Sequence, residues 1–147
     1  MLFLSCLTIA YLNKNLDLRK EEAILGRWTH GENSYDLEIY QSGQVFSARI
    51  ISQGINQIRQ LAHQRKNETF DSPILGAPLW VSDLELIQGL SYNDRTRKWD
   101  QGIVVDPVSG RMKKAKVWLK GNDTLVLRRF WYLSCFGSNI SFRRVVK

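Results

Sequence analysis

Carboxylates two residues apart on an extended chain share a face, and the sequence holds two such pairs, Asp36 with Glu38 and Asp83 with Glu85. Acid–base catalysis by either pair requires one member buried with a raised pKa beside an ionised partner. Both pairs alternate with apolar neighbours, so a solvated outer face is the expected setting. The histidines, His30 and His63, have no Asp, Glu, His or Cys at a typical metal-ligand spacing and read as surface or strand-end residues. There is no G-x-S-x-G elbow and no phosphate-binding glycine loop, because Gly43, Gly54 and Gly121 stand alone. Cys135 has no neighbour in sequence that would lower its pKa, and reads as a small buried apolar residue rather than a nucleophile. No catalytic constellation, metal or cofactor is expected, and an enzyme of unrecognised type is the weakest of the functional readings.

Cations are the more informative chemistry. The net charge is +7 and the isoelectric point near 9.6, which favours acidic partners such as phosphate, anionic lipid or other anionic envelope components without selecting among them. Neighbours on a strand face opposite ways, so Arg128 and Arg129 cannot both lie on one surface. Arg129 is therefore a candidate to meet an anionic ligand head from inside, against an internal salt bridge or a rim position. Base stacking on aromatics beside basic grooves is a known nucleic-acid mode. Phe46, Trp80, Trp118 and Phe130 instead occur at alternating strand positions that line a core or cavity, and no nucleic acid is expected.

The elements that must position these residues are short and extended. Leu37 and Ile39 alternate with Asp36 and Glu38, a Gln41-Ser42-Gly43 turn follows, and Val45 to Ile51 returns as the second strand of a hairpin. Residues 55 to 66 change to helical spacing through Ile55, Ile58, Leu61 and Ala62, a short helix or structured loop. Pro73 and Gly76-Ala77-Pro78 then punctuate the chain before a strand over Leu79 to Leu90. Downstream, Trp99 to Val105, Arg111 to Leu119, Thr124 to Tyr132 and Ile140 to Val146 are strands joined by turns, including Asp106-Pro107-Val108-Ser109-Gly110. Connections this short make neighbours antiparallel. About eight strands in one domain over 24–147 describe an all-β, antiparallel barrel.

The chain starts with Met1-Leu-Phe-Leu-Ser-Cys-Leu-Thr-Ile-Ala10, too short to span a bilayer as a helix and of the right length for the apolar part of a secretory signal. Residues 1–20 are accordingly expected to be a truncated leader, and the protein to be exported to the periplasm or beyond.

Gly26-Arg27-Trp28 on the first strand and Arg144 on the last resemble the closure of lipocalin-like barrels, in which a guanidinium packs over the indole. From about Leu25 to Val145 the order of signals is similar to that of the bacterial family grouped as domain of unknown function 2147. The matching pieces are Gly26-Arg27-Trp28, Leu37-Glu38-Ile39-Tyr40, Arg49-Ile50, Leu84-Glu85-Leu86-Ile87-Gln88-Gly89-Leu90, Gly102-Ile103-Val104-Val105-Asp106-Pro107 with Ser109-Gly110, and Ser134-Cys135-Phe136-Gly137 leading to Arg144. The chain departs from that family at Val105, at Arg129 where the family has glycine, at Ser138-Asn139, and in the 55 to 66 segment. The resemblance implies a lipocalin-like barrel in the cell envelope or outside the cell, and supplies no activity or catalytic residues.

Two readings follow. In the first, the barrel holds a small apolar or amphipathic ligand at a mouth bordered by 55 to 66 and Pro73 to Trp80, with Trp80 as a wall residue and Arg49 or Arg129 meeting a carboxylate or phosphate. In the second, the barrel is filled and its basic outer surface makes non-enzymatic contacts in the envelope. Gly26, Trp28 and Arg144 are assigned to closure, and Asp106, Pro107 and Gly110 to a turn. N-terminal sequencing of the exported protein is expected to find a start between about Tyr11 and Ala23; intact Met1 in a cytoplasmic protein would count against export.

Overall fold

The computed structural model describes residues 7–13, 20–31, 36–51, 84–106, 111–133 and 135–146. Within these, eight strands close into one antiparallel barrel in sequence order. They are β1 (Gly26–Thr29), β2 (Asp36–Ser42), β3 (Val45–Ile50), β4 (Leu84–Asn93), β5 (Lys98–Val105), β6 (Met112–Lys120), β7 (Thr124–Phe130) and β8 (Gly137–Arg144). A 3-10 turn, Glu22–Ile24, precedes β1, and a short helix occupies 7–13. The expected helical segment at 55 to 66 and the Pro73 to Trp80 stretch lie outside the described residues, as does the expected start of β4 at Leu79.

Alternation fixes which face each residue takes. Trp28, Leu37, Ile39, Phe46, Ala48 and Ile50 are buried on β1 to β3, while Asp36, Glu38 and Arg49 between them are not. The same rule puts Ala115, Val117, Leu125, Leu127 and Phe142 inside and Lys114, Lys116, Arg128 and Arg143 outside. Apolar-in and charged-out is the reverse of a barrel that spans a membrane. Among the described residues no helix is long and apolar enough to cross one.

Two strands break the alternation. The register of β5 against β6 shifts between Trp99 and Gly102, where Gln101 takes a φ of 62°, and this bulge lets residues three apart both face inward. The β3–β4 pairing shifts likewise between Phe46 and Arg49, so that Ile87 opposes Ala48 and Leu90 opposes Phe46, and both Ile87 and Leu90 are buried. Strand β8 begins at Gly137 rather than Ile140, because its pairing with β7 runs on to Phe130 opposite Gly137. A Cβ at Gly137 would collide with the Arg129 carbonyl oxygen, so only glycine permits that approach.

The seam of the barrel is where sequence ends meet. Trp28 opposes Arg144 and Thr29 opposes Arg143. The Arg144 guanidinium carbon sits 4.2 Å from the centre of the fully buried Trp28 ring. Its nitrogens donate to the carbonyls of Ala23 at 2.6 Å, Asn122 at 2.9 Å and Leu25 at 3.0 Å, while the Trp28 indole donates to Ile24 at 2.9 Å. One side chain thus ties the 3-10 turn, the β6–β7 turn and the last strand together. A Cβ built on Gly26 would lie 3.5 Å from Nη1 of that guanidinium, and the residue's φ of 120° is a backbone conformation that side chains rarely adopt.

The 3-10 turn covers one end. Ile24 is fully buried beneath the strands, and Trp99 donates from its indole to the Glu21 carbonyl at 3.0 Å. This end also holds the β2–β3, β4–β5 and β6–β7 turns. The other end receives the long β3–β4 connection and the β5–β6 and β7–β8 connections.

Removing the Trp28 indole leaves a core cavity, and Trp28→Ala is expected to cost about 3–5 kcal/mol in urea unfolding. Arg144→Gln keeps a polar group but loses the charged fork, with an expected cost of about 1.5–3 kcal/mol. A change under about 0.5 kcal/mol for either would show that the seam does not hold the barrel.

Candidate functional site

The two halves of the barrel interior differ in chemistry. Toward the 3-10 turn the inward side chains are Trp28, Phe46, Leu90, Trp99, Val117, Leu125 and Phe142, all buried, so that half is filled. Toward the other end Leu37, Ile50, Ile87 and Val104 on β2 to β5 are also buried, and only on β6 and β7 do the inward positions become small or charged. On β6 the residue before Ala115 on the same face is Lys113, opposite Val104; on β7 the residue after Leu127 on that face is Arg129, opposite Ala115 and Ser138.

Arg129 is the unusual member. One of its terminal nitrogens donates to the Ser138 hydroxyl at a long 3.3 Å, and its Nε is buried with no hydrogen-bond partner. A buried donor on a cation left unpaired carries its full desolvation cost, and native structures keep few of them. Lys113 stands beside it with its ammonium 5.4 Å from the centre of the Trp131 ring, just beyond β7. Cationic, aromatic and hydroxyl groups therefore converge at the inner rim of β6, β7 and β8. That combination suits an anionic head attached to an apolar body.

Arg128 takes the opposite face, as adjacent strand residues must. It donates to Asn139 at 2.7 Å and to the carbonyl of Cys135 at 3.0 Å, and Cys135 is exposed in the β7–β8 connection rather than buried as its type suggested.

Arg49 does not join the interior. Its place between the buried Ala48 and Ile50 sends it outward, where it meets Glu38 at 2.7 Å and lies 5.1 Å over the Tyr40 ring. Glu85 completes this outer cluster: burial first, and then the charge of Glu85 and a hydrogen bond to it, raise the Tyr40 phenol above its ordinary pKa. The candidate head-group role of Arg49 is corrected accordingly, since its partners are on the wrong side of the wall. Asp36 and Glu38 occupy the outer face expected of them.

Asp106 follows β5, and its amide donates to the Arg111 carbonyl at 2.8 Å. Pro107, Gly110 and Trp80 lie outside the described residues. His30 is an exposed residue just after β1. Its Nδ1 donates to the Ser141 carbonyl at 2.7 Å, beside a groove of about 680 Å³ lined by Thr29, Gly31, Thr124, Ser141 and Arg143. Among the described residues no three His, Cys, Asp or Glu side chains group as metal ligands would.

Lys113 reads in the sequence only as part of a basic hairpin and Ser138 only as a departure from the family, and Trp131 is not a candidate at all. Period-two counting back from Ala115 and Val117 would have turned Lys113 inward; Trp131 and Ser138 carry no signal until the β7–β8 register is known.

Residues 26–144 match the family model described as an uncharacterized protein conserved in bacteria, domain of unknown function 2147. Comparison with curated proteins found no match. A protein from Helicobacter pylori, described as belonging to the lipocalin family, superposes with a TM-score of 0.58 at 13% identity, over 84% of each chain. At that identity the likeness is one of fold. The matched span begins at the glycine that opens β1 and ends at the arginine that closes β8, and the chain belongs to the bacterial domain of unknown function 2147 family, with a lipocalin-like barrel.

Proposed function

We propose that this protein is an exported lipocalin-like binder that holds a small amphipathic anion in the open half of its barrel. The observation that carries the reading is Arg129, an inward cation with a buried, unpartnered Nε. A carboxylate or phosphate there would supply the missing acceptor, with Lys113 adding charge and Val104, Ala115 and Ile140 lining the apolar body. The core packed beneath restricts the ligand to the inner rim of β6, β7 and β8, and so to a short or bent tail. Lipocalin-like barrels of eight strands have room for one small molecule, which agrees with that size.

Export is supported by the helix at 7–13, whose Leu7, Ile9, Tyr11 and Leu12 are all exposed. Glu21 braces the barrel through Trp99, and the expected leader, residues 1–20, ends just before it. A second reading, a filled barrel acting through its basic outer face, draws on the packed half and on Lys114, Lys116, Arg128 and Arg143.

Tryptophan-fluorescence titration with medium-chain fatty acids separates the two. Saturable quenching is expected, and Arg129→Leu should weaken it about tenfold or more, equal to about 1.4 kcal/mol. The same variant without ligand should be as stable as the parent, or more so by about 1 kcal/mol, because the unpaired donor is gone. Equal affinity in parent and variant, or no quenching in either, would leave the basic-surface reading standing.

A further inference from the structure

The β7–β8 connection runs against the usual chemistry of turns. It reads Trp131-Tyr132-Leu133-Ser134-Cys135-Phe136, where polar turn residues would be ordinary. Trp131 is 52% exposed, Leu133 60%, Phe136 77% and Tyr132 87%. Met112, exposed at the start of β6, adds to the same end of the barrel. A group of large exposed apolar side chains marks a contact surface when it is contiguous and rimmed by polar groups.

These side chains are held out by a braced backbone. The Phe136 amide donates to the Leu133 carbonyl at 3.1 Å, and Arg128 ties the Cys135 carbonyl to Asn139. Gly137 lets the loop leave β7 tightly, since any Cβ there would meet the Arg129 carbonyl. Lys113 faces the Trp131 ring.

On β6, β7 and β8 the charge is almost wholly positive, while Asp36, Glu85 and Asp106, on β2, β4 and just after β5, lie at the same end. From residue 107 to 147 the sequence has ten Lys and Arg and a single acid, Asp123, which sits in the β6–β7 turn at the opposite end of the barrel. Lys114 and Lys116 face outward on β6, and Arg128 does so on β7, below the apolar tip. A second copy of the chain would bring the same positive surface and be repelled. An anionic bilayer fits instead: tryptophan and tyrosine prefer the headgroup level, leucine and phenylalanine enter the acyl boundary, and lysine and arginine meet the lipid phosphates.

We infer that the β7–β8 loop, with Trp131, Tyr132, Leu133 and Phe136 at its tip and Lys114, Lys116 and Arg128 around it, docks the open end of the barrel onto an anionic lipid surface. Docking in this pose turns the Arg129 side of the interior toward the bilayer. It does not depend on a ligand being held there.

Vesicle flotation of the full chain tests it, with phosphatidylglycerol–phosphatidylcholine vesicles against phosphatidylcholine alone. The parent should partition at least tenfold more strongly onto the anionic vesicles, and added salt should weaken the binding. The L133D/F136D double variant should lose at least tenfold, with an unchanged melting temperature. The K114E/K116E pair should lose the preference for the anionic lipid. L7S/L12S, in the exposed N-terminal helix, should bind as the parent does. No partition by the parent, an unaffected L133D/F136D, or loss of binding in L7S/L12S alone would overturn the inference, as would loop-dependent binding to an acidic protein or to itself without any to vesicles. Fatty-acid quenching that survives in L133D/F136D separates failure of docking from failure of ligand binding.

Discussion

The barrel depends on one guanidinium placed over one indole. Arg144 stacks on Trp28 and spends its remaining donors on three backbone carbonyls, from the 3-10 turn and from the β6–β7 turn. The first and last strands share only two paired positions, so hydrogen bonds of the ladder alone would make a weak seam. The side chain compensates by linking segments more than a hundred residues apart in sequence, and its charge strengthens bonds to carbonyls that would otherwise lack donors. A neutral side chain could stack there, but it could not satisfy three acceptors and an aromatic face at once.

This closure divides the molecule by chemistry. At the braced end, large side chains from every strand meet under the 3-10 turn and leave no demand for a ligand. At the open end the inward positions on β6 and β7 are Lys113 and Arg129, which an apolar core would not tolerate without an acceptor. Arg129, with its buried Nε, is thereby held in a frame secured elsewhere. The exposed aromatic connection lies at that same open end, beside the strands whose charge is almost wholly positive. Lys113 and Arg129 inside and the exposed aromatics outside thus share one end of the barrel, though each feature rests on different residues.

Much of this was legible in the residues. Alternation in β2 and β6 places their inner and outer faces correctly, and period two requires that Arg128 and Arg129 part company. The seam was legible through the resemblance of Gly26-Arg27-Trp28 and Arg144 to a known closure, since no local rule links positions so far apart. Arg49 was misjudged although its flanking apolar residues, Ala48 and Ile50, already turned it outward. The bulges in β4 and β5 were hidden, because a bulge is a register shift against a partner strand and leaves only a broken period in its own. Trp131 and Ser138 were illegible for the same reason: what they face is decided by pairing across strands.

The central claim is that the closed end holds the fold while the open end receives an anion. Amide and indole NMR shifts of the labelled protein, followed on adding decanoate, test it most directly. The expected result is saturable shifts at Ala115, Arg129 and Ser138, with the Trp28 indole and the Arg144 amide unmoved. Shifts concentrated at Trp28 and Arg144, or none anywhere at saturating decanoate, would contradict it.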